Sequence, residues 1–336
     1  QMMNRHFFLG LLAAALVILP GMGCLQAWEP AITVAQEDGI KYHKPVVNVG
    51  PDGMLYIAYK YRNAGAGLTE IHLKTYDGQT LGVLGDVNVS QSPAWTSYEH
   101  DLEVTADGNV HLAWMEYPAG GGQQHFIRYR FWNGSEWSQT FTLGEFSAHD
   151  VEDVRLAVSP NGNAHVVFMT WPDAACRMAS LYPEGAVMQN LPLGGRAKHP
   201  DVAADDDHVH VVWQYRPGGI LYTIMYARLE NRHGGSWISN QAMVGSHDAG
   251  RPRMVMDETG RLHIIYNEEH HTGVSRKLWY FSGSTAAGFD RGIALMGNYY
   301  GLFHYHDLAV ANGSVITSIQ EGPSAGGGRI FYDWKG

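Results

Sequence analysis

The sequence predicts an all-β fold: a six-bladed β-propeller of four-stranded antiparallel blades. Three observations carry that reading. One phrase recurs six times: an apolar strand, a tight turn that usually contains Gly, then a second strand ending in an apolar or aromatic residue. The copies lie at 45–59, 100–114, 154–168, 200–213, 252–266 and, in a weaker form, 306–319. Equivalent second-strand positions fall at Tyr56, His111, His165, His210, His263 and Ile316, spaced 55, 54, 45, 53 and 53 residues apart. A hairpin repeat of about fifty residues describes blades that bury their faces against their neighbours. Composition agrees, because 40 glycines suit many turns and the Trp, Tyr and Phe content (10, 18 and 11) suits many strands.

Each copy divides into four strands. In the second copy these are 100–105, 109–115, 124–132 and 137–143, the last pair joined by Asn133-Gly134, a strong hairpin signal. Third strands recur at 69–76, 221–229, 277–282 and 329–334. The turns between first and second strands carry Asp52-Gly53, Asp107-Gly108, Asn161-Gly162, Thr259-Gly260 and Asn312-Gly313, where Gly supplies φ > 0. The fourth copy has Asp205-Asp206-Asp207 instead, near the point where the period shortens. The last copy stops after its third strand. The apolar segment 31–35 is therefore expected to become the fourth strand of the last blade and close the ring, removing an open edge.

Residues 1–27 read as an export signal. Asn4-Arg5-His6 precede the apolar run 7–19 and a small-residue exit, Pro20-Gly21-Met22-Gly23-Cys24. Cleavage after Ala27 and lipidation at Cys24 are alternatives, and 28–336 is expected to be a single propeller domain. The expected location is exported: periplasmic, extracellular or anchored through the N-terminus. With only Cys24 and Cys176, no disulfide framework exists, and Cys176 reads as a small buried residue. A net charge of -10 without a Lys/Arg run argues against nucleic acid as a partner.

The phrases His43-Lys44-Pro45, Asp52-Gly53 with Leu55-Tyr56-Ile57-Ala58-Tyr59, and 129–137 (Tyr-Arg-Phe-Trp-Asn-Gly-Ser-Glu-Trp) carry a resemblance. The chain resembles the BNR-repeat and sialidase-like β-propellers, including propeller-type polysaccharide lyases such as ulvan lyases. The resemblance implies architecture and carbohydrate chemistry. It carries no catalytic residue across, since the Ser-x-Asp-x-Gly-x-x-Trp box and the Arg-Ile-Pro signature of sialidases are absent. Phosphate-binding Gly loops, His-Glu-x-x-His and Gly-x-Ser-x-Gly are absent too.

In a propeller, the entries to the first strands share one face with the loops joining second to third strands, so that face is the expected binding site. Its His, Tyr, Arg and carboxylate residues suit a polysaccharide or oligosaccharide partner. They also supply the parts for β-elimination on a uronate: a cation to neutralise the carboxylate, a base and an acid. The expected catalytic residues are His100, His306, Tyr98 and Tyr305. His43, Arg62, Trp171, His199, Tyr215, Arg216 and Arg251 are expected to bind substrate. The leading function is thus a lyase on an anionic, uronate-containing polysaccharide. A non-catalytic glycan-binding propeller and a structural or protein-interaction scaffold stay open beside it, and a glycoside hydrolase ranks lower.

Two further patterns read as structural. His111, His165, His210 and His263 share one repeat position, so each belongs to its own blade and they do not converge on a metal. One first-strand position reads Val46, Asp101, Arg155, Asp201, Arg253, Asp307 through the six copies. This alternation is expected to form a belt of charge-assisted hydrogen bonds near the axis. A structural Ca2+ held by Asp307 and Asp101 is the minority alternative.

Overall fold

The computed structural model describes residues 40–63, 68–120, 122, 124–147, 150–192, 196–218, 221–243, 249–268, 276–284, 288–290, 292–299, 302–311, 314–322 and 329–335. They form six antiparallel sheets in chain order, each a blade. The first blade runs through strands Ile40–Val49, Leu55–Asn63, Thr69–Tyr76 and Val83–Asn88. The innermost strands of the next five are Trp95–Val104, Asp150–Val158, Ala197–Ala204, Ala249–Met256 and Leu302–Ala311. Each of these packs against its successor from the first blade to the sixth. The sixth blade has three described strands, ending at Arg329–Lys335. The 1–27 signal and the 31–35 closing strand lie outside the described residues.

The core sits between blades, as the stacked-hairpin pattern requires. Leu73, Leu102, Leu112 and Trp114 join the first blade to the second. Ile127, Tyr129, Leu156 and Phe168 join the second to the third. Met169, Met178, Val211 and Trp213 join the third to the fourth. The aromatics that end the second strands, Tyr59, Trp114, Phe168, Trp213 and Tyr266, are all buried. Cys176 is a buried free thiol in the same packing.

Two boundaries differ from the sequence reading. The fourth strand of the second blade is Phe141–Ser147, not 137–143. Asn133 Oδ1 accepts the N–H groups of Ser135 and Glu136, so the hairpin closes on an isolated Trp132–Trp137 bridge before the strand begins. The shortened period also has a second source. In the third blade only Pro172, Asp173 and Ala174 separate the second strand, Ala164–Trp171, from the third, Ala175–Tyr182.

The second-strand histidines act as bolts within their blades. His111, His210 and His263 Nδ1 meet Tyr129, Tyr226 and Tyr280 Oη at 2.6, 2.8 and 2.7 Å. His165 Nδ1 meets Ser180 Oγ at 2.9 Å. The opposite nitrogens of His210 and His263 reach the turn carboxylates Asp205 and Asp257 at 3.3 and 3.0 Å. Each imidazole ties a third-strand hydroxyl to the turn at the closed end of its blade, or to its own sheet.

Candidate functional site at the axial mouth

A register break interrupts the pairing of first and second strands in every blade, at 43/46, 97/100, 198/201, 250/253 and 303/305 on the first strand, and at 167/169 on the second strand of the third blade. Four residues beside these breaks hold left-handed backbones without being glycine: Lys44 (φ 50), Asp153 (φ 55), His199 (φ 49) and Arg251 (φ 51). Each precedes the belt position by two residues. A left-handed backbone costs an L-residue about 1–2 kcal/mol, and strain of this kind concentrates at functional sites. The bulge turns the strand, and Lys44, Asp153, His199 and Arg251 stay at least partly open there.

The open layer carries charge of both signs. Lys44 pairs with Glu99 of the next blade. His199 Nδ1 stands 2.8 Å from Asp153 Oδ2, an ion-pair contact rather than an aligned hydrogen bond, with the side chains 23% and 29% exposed. Burial would raise the Asp153 pKa, but His199, Arg253 and Arg155 hold it at about 2. Trp171 Nε1 donates to Glu152 Oε2 at 3.2 Å, and Lys198 lies 5.0 Å from the Trp171 ring centroid.

Below this layer lies the Asp/Arg position. Asp101 Oδ2 accepts the Leu156 N–H at 2.9 Å, and Asp201 Oδ2 accepts the Met254 N–H at 2.8 Å. Each aspartate thereby stitches its first strand to that of the next blade. Arg155 Nη1 is 3.8 Å from Asp101 Oδ1. Burial opposes the Arg155 charge, but Asp101, Asp201, Asp307 and Asp153 together raise its pKa above the usual guanidinium value. Residues from the second, third, fourth and sixth blades therefore lie within electrostatic reach of one another. Asp307 differs from the other two aspartates in being exposed; like Asp201 Oδ1 with Val202, its Oδ1 accepts the following residue's N–H, that of Leu308, at 2.9 Å. Burial and the nearby Asp101 and Asp201 push Glu103, one step deeper on the second blade, up to about 8.

The expected site residues separate into groups. Tyr98, Trp171, His199, Tyr215, Arg216 and Arg251 are half-buried around the mouth, and Arg62 is exposed there. His100 and His306 lie under the mouth rather than on it, at 5% and 6% exposure, with no aligned hydrogen bond to any ring nitrogen. Burial lowers His100 to about 4 and His306 to about 3, although backbone groups of Ala58 and Tyr98 oppose the shift in the first and of Arg251 in the second. Both rings are therefore neutral at neutral pH, and neither presents a nitrogen to the mouth. The side chains of His43 and Tyr305 lie outside the described residues. Lys60, Glu99 and Asp153 belong to the loops of the expected binding face but not to the expected site residues. The signal that finds the latter two is their place two residues before the belt. Among the described residues no cluster of three or more His, Cys, Asp and Glu is arranged to hold a metal ion.

No protein-family model matches the sequence, and no curated protein matches it. Solved structures do resemble the fold. The Trypanosoma rangeli sialidase superposes with a TM-score of 0.52 at 10% identity, over 84% of this chain and 53% of that one. The same sialidase in complex with sialic acid gives 0.51 at 10% identity, over 87% and 53%. The polysaccharide lyase Uly1 gives 0.50 at 10% identity, over 86% and 76%. The chain spans about half the length of the sialidase that it matches. The fold is thus that of the sialidase and polysaccharide-lyase propellers.

Proposed function

We propose that the protein is an exported carbohydrate-active enzyme that cleaves an anionic, uronate-containing polysaccharide by β-elimination at the axial mouth. The observation that carries this reading is the His199–Asp153 pair, two strained neighbours at 2.8 Å on facing bulges and partly open to solvent. On this reading Asp153 orients the His199 ring from its Nδ1 side and leaves Nε2 as the basic nitrogen. His199, expected from sequence to bind substrate, is on this reading the base in place of His100 and His306, whose nitrogens are sealed.

The step balances without a cofactor. His199 Nε2 takes the proton from C5 of the uronate, and that electron pair forms the C4–C5 double bond. The C4–O bond breaks, and the departing oxygen receives a proton from a mouth hydroxyl, a part that this reading gives to Tyr98. The cations of the mouth, Arg251 among them, offset the charge that the substrate carboxylate gathers as C5 is deprotonated. The test is ultraviolet absorbance of the unsaturated uronate on a panel of uronate polysaccharides. A rise with one polymer is expected, and His199→Gln and Asp153→Asn should each slow it by about 10²–10⁴-fold with folding intact. Silence across the panel, or full activity in His199→Gln, would overturn the reading.

A further inference from the structure

Lys60 is a largely buried residue at the corner of the mouth between the first and second blades, and among the described residues its ammonium meets no hydrogen-bond acceptor. It sits on the central part of its sheet, paired with His43 on one side and Ile71 on the other. The residue is 6% exposed. Its Nζ stands 3.6 Å from the centroid of the Tyr98 ring, and that is its one described contact of charge. Lys44 lies 5.3 Å from the same ring, with its own ammonium committed to Glu99. Counting Lys44, Lys60 and Arg62 against Glu99 leaves two positive charges in this corner, within a chain of net charge -10.

An ammonium has three donors and no acceptor, and burying it without partners is costly. A cation over an aromatic face recovers about 1–2 kcal/mol, which does not replace a lost hydration shell. Burial, Lys44 and Arg62 lower the Lys60 pKa to about 8 against the opposing pull of Glu99. The charge is therefore kept at neutral pH in a place where no described residue hydrogen-bonds to it. The neighbouring buried His100 ring, also unpartnered, feels both Lys44 and Lys60.

We propose that Lys60, seated on Tyr98 between Lys44 and Arg62, is an oxyanion-binding site that takes the carboxylate or sulfate group of a sugar at the mouth. The proposal rests on reading the mouth as a carbohydrate site, and it assigns the substrate charge to one corner. A site built around an unanswered ammonium discriminates strongly against analogues that lack the anion, because binding them leaves the buried charge unpaired.

The experiment uses the whole chain with its lysines ¹³C-methylated. Lys60 is assigned by Lys60→Arg, and the protein is titrated with sodium D-glucuronate, sodium sulfate and the neutral methyl glucoside. The expected result is a saturable shift of the Lys60 resonance with an anion and none with the neutral glycoside. Its titration midpoint should also rise from about 8 when the anion is bound. Saturation by glucuronate alone assigns a carboxylate, and by sulfate alone a sulfate ester. Saturation by both assigns a general oxyanion site.

Lys60→Met should weaken anion binding by about tenfold or more, and Lys60→Arg should retain most of it. If Lys60→Met fails to fold, the wild-type midpoint shift and Lys60→Arg still decide the matter. The proposal is overturned if neither anion saturates, if the neutral glycoside binds equally, or if Lys60→Met binds as the wild type. Anion binding without a new double bond would sink the lyase and keep the site. Turnover untouched in Lys60→Met would keep the lyase and sink the site.

Discussion

The two ends of each blade use the same residue types to opposite effect. At the turn end, imidazoles and hydroxyls repeat from blade to blade and are largely satisfied: His111, His210 and His263 each hold a tyrosine, and two of them also hold an aspartate. At the mouth the equivalent positions are Lys44, Glu99, Asp153, His199, Arg251 and Tyr305, with no residue type repeated. Four of them carry a strained backbone. Repetition with satisfied partners is what stacking blades need. Variation with strain and incomplete pairing is what a single asymmetric ligand needs. Histidine content alone could not separate the two ends; the partners of each ring do.

The contrast breaks most visibly at Arg155, directly beneath the mouth. Arg155→Met leaves Asp101 buried without its cation and Asp201 with Arg253 alone, and a loss of about 3–5 kcal/mol is expected in urea denaturation. A neutral outcome would place the belt with the removable mouth layer. Next in size is the turn end. His263→Ala takes one hydrogen bond from Tyr280 Oη and one from Asp257 Oδ2, at an expected cost of about 2–3 kcal/mol in the same assay. His199→Gln at the mouth should shift stability by about 0.5 kcal/mol or less. Equal losses from the two substitutions would erase the distinction between the ends.

The last expected effect is a pH dependence. His100, His111, His165 and His306 have folded values lowered by burial to about 4, 4, 3 and 3. As pH falls below about 6.5, the unfolded chain binds their protons first, so stability is complete above that pH and declines toward about 4. Glu103 acts with the opposite sign. Its folded value is raised to about 8, so its contribution is present below the unfolded value of 4.5 and is lost as pH rises from there through about 8. Glu103→Gln should therefore flatten the fall across that range and stabilise the protein at pH 8 in thermal or urea unfolding. A gain confined to acid pH would contradict that assignment.

Much of the fold was legible in the sequence because its signals are local. Gly turns, alternating strands and terminal aromatics such as Trp114 and Trp213 report their own blade. The mouth was legible as a list of residue types but not as a geometry. The left-handed bulge has no residue signature, since Lys44, Asp153, His199 and Arg251 share only a place. Lys60 follows the core aromatic Tyr59, so alternation reads it as solvent-facing. Its burial comes from Tyr98, 38 positions away on another blade. The burial of His100 was hidden for the converse reason: it opens the strand 100–105 in sequence, and the neighbouring blade covers it.

The aspartate stitches have one more consequence, for chains that are not whole. Asp101 and Asp201 bond amides 55 and 53 residues further along, so neither carboxylate is satisfied until the following blade has been added. A fragment ending after the fourth blade would hold Asp201 without the Met254 amide. Growth of the ring is thereby checked at every second blade, and fragments are selected against by electrostatics and not by lost hydrophobic area alone.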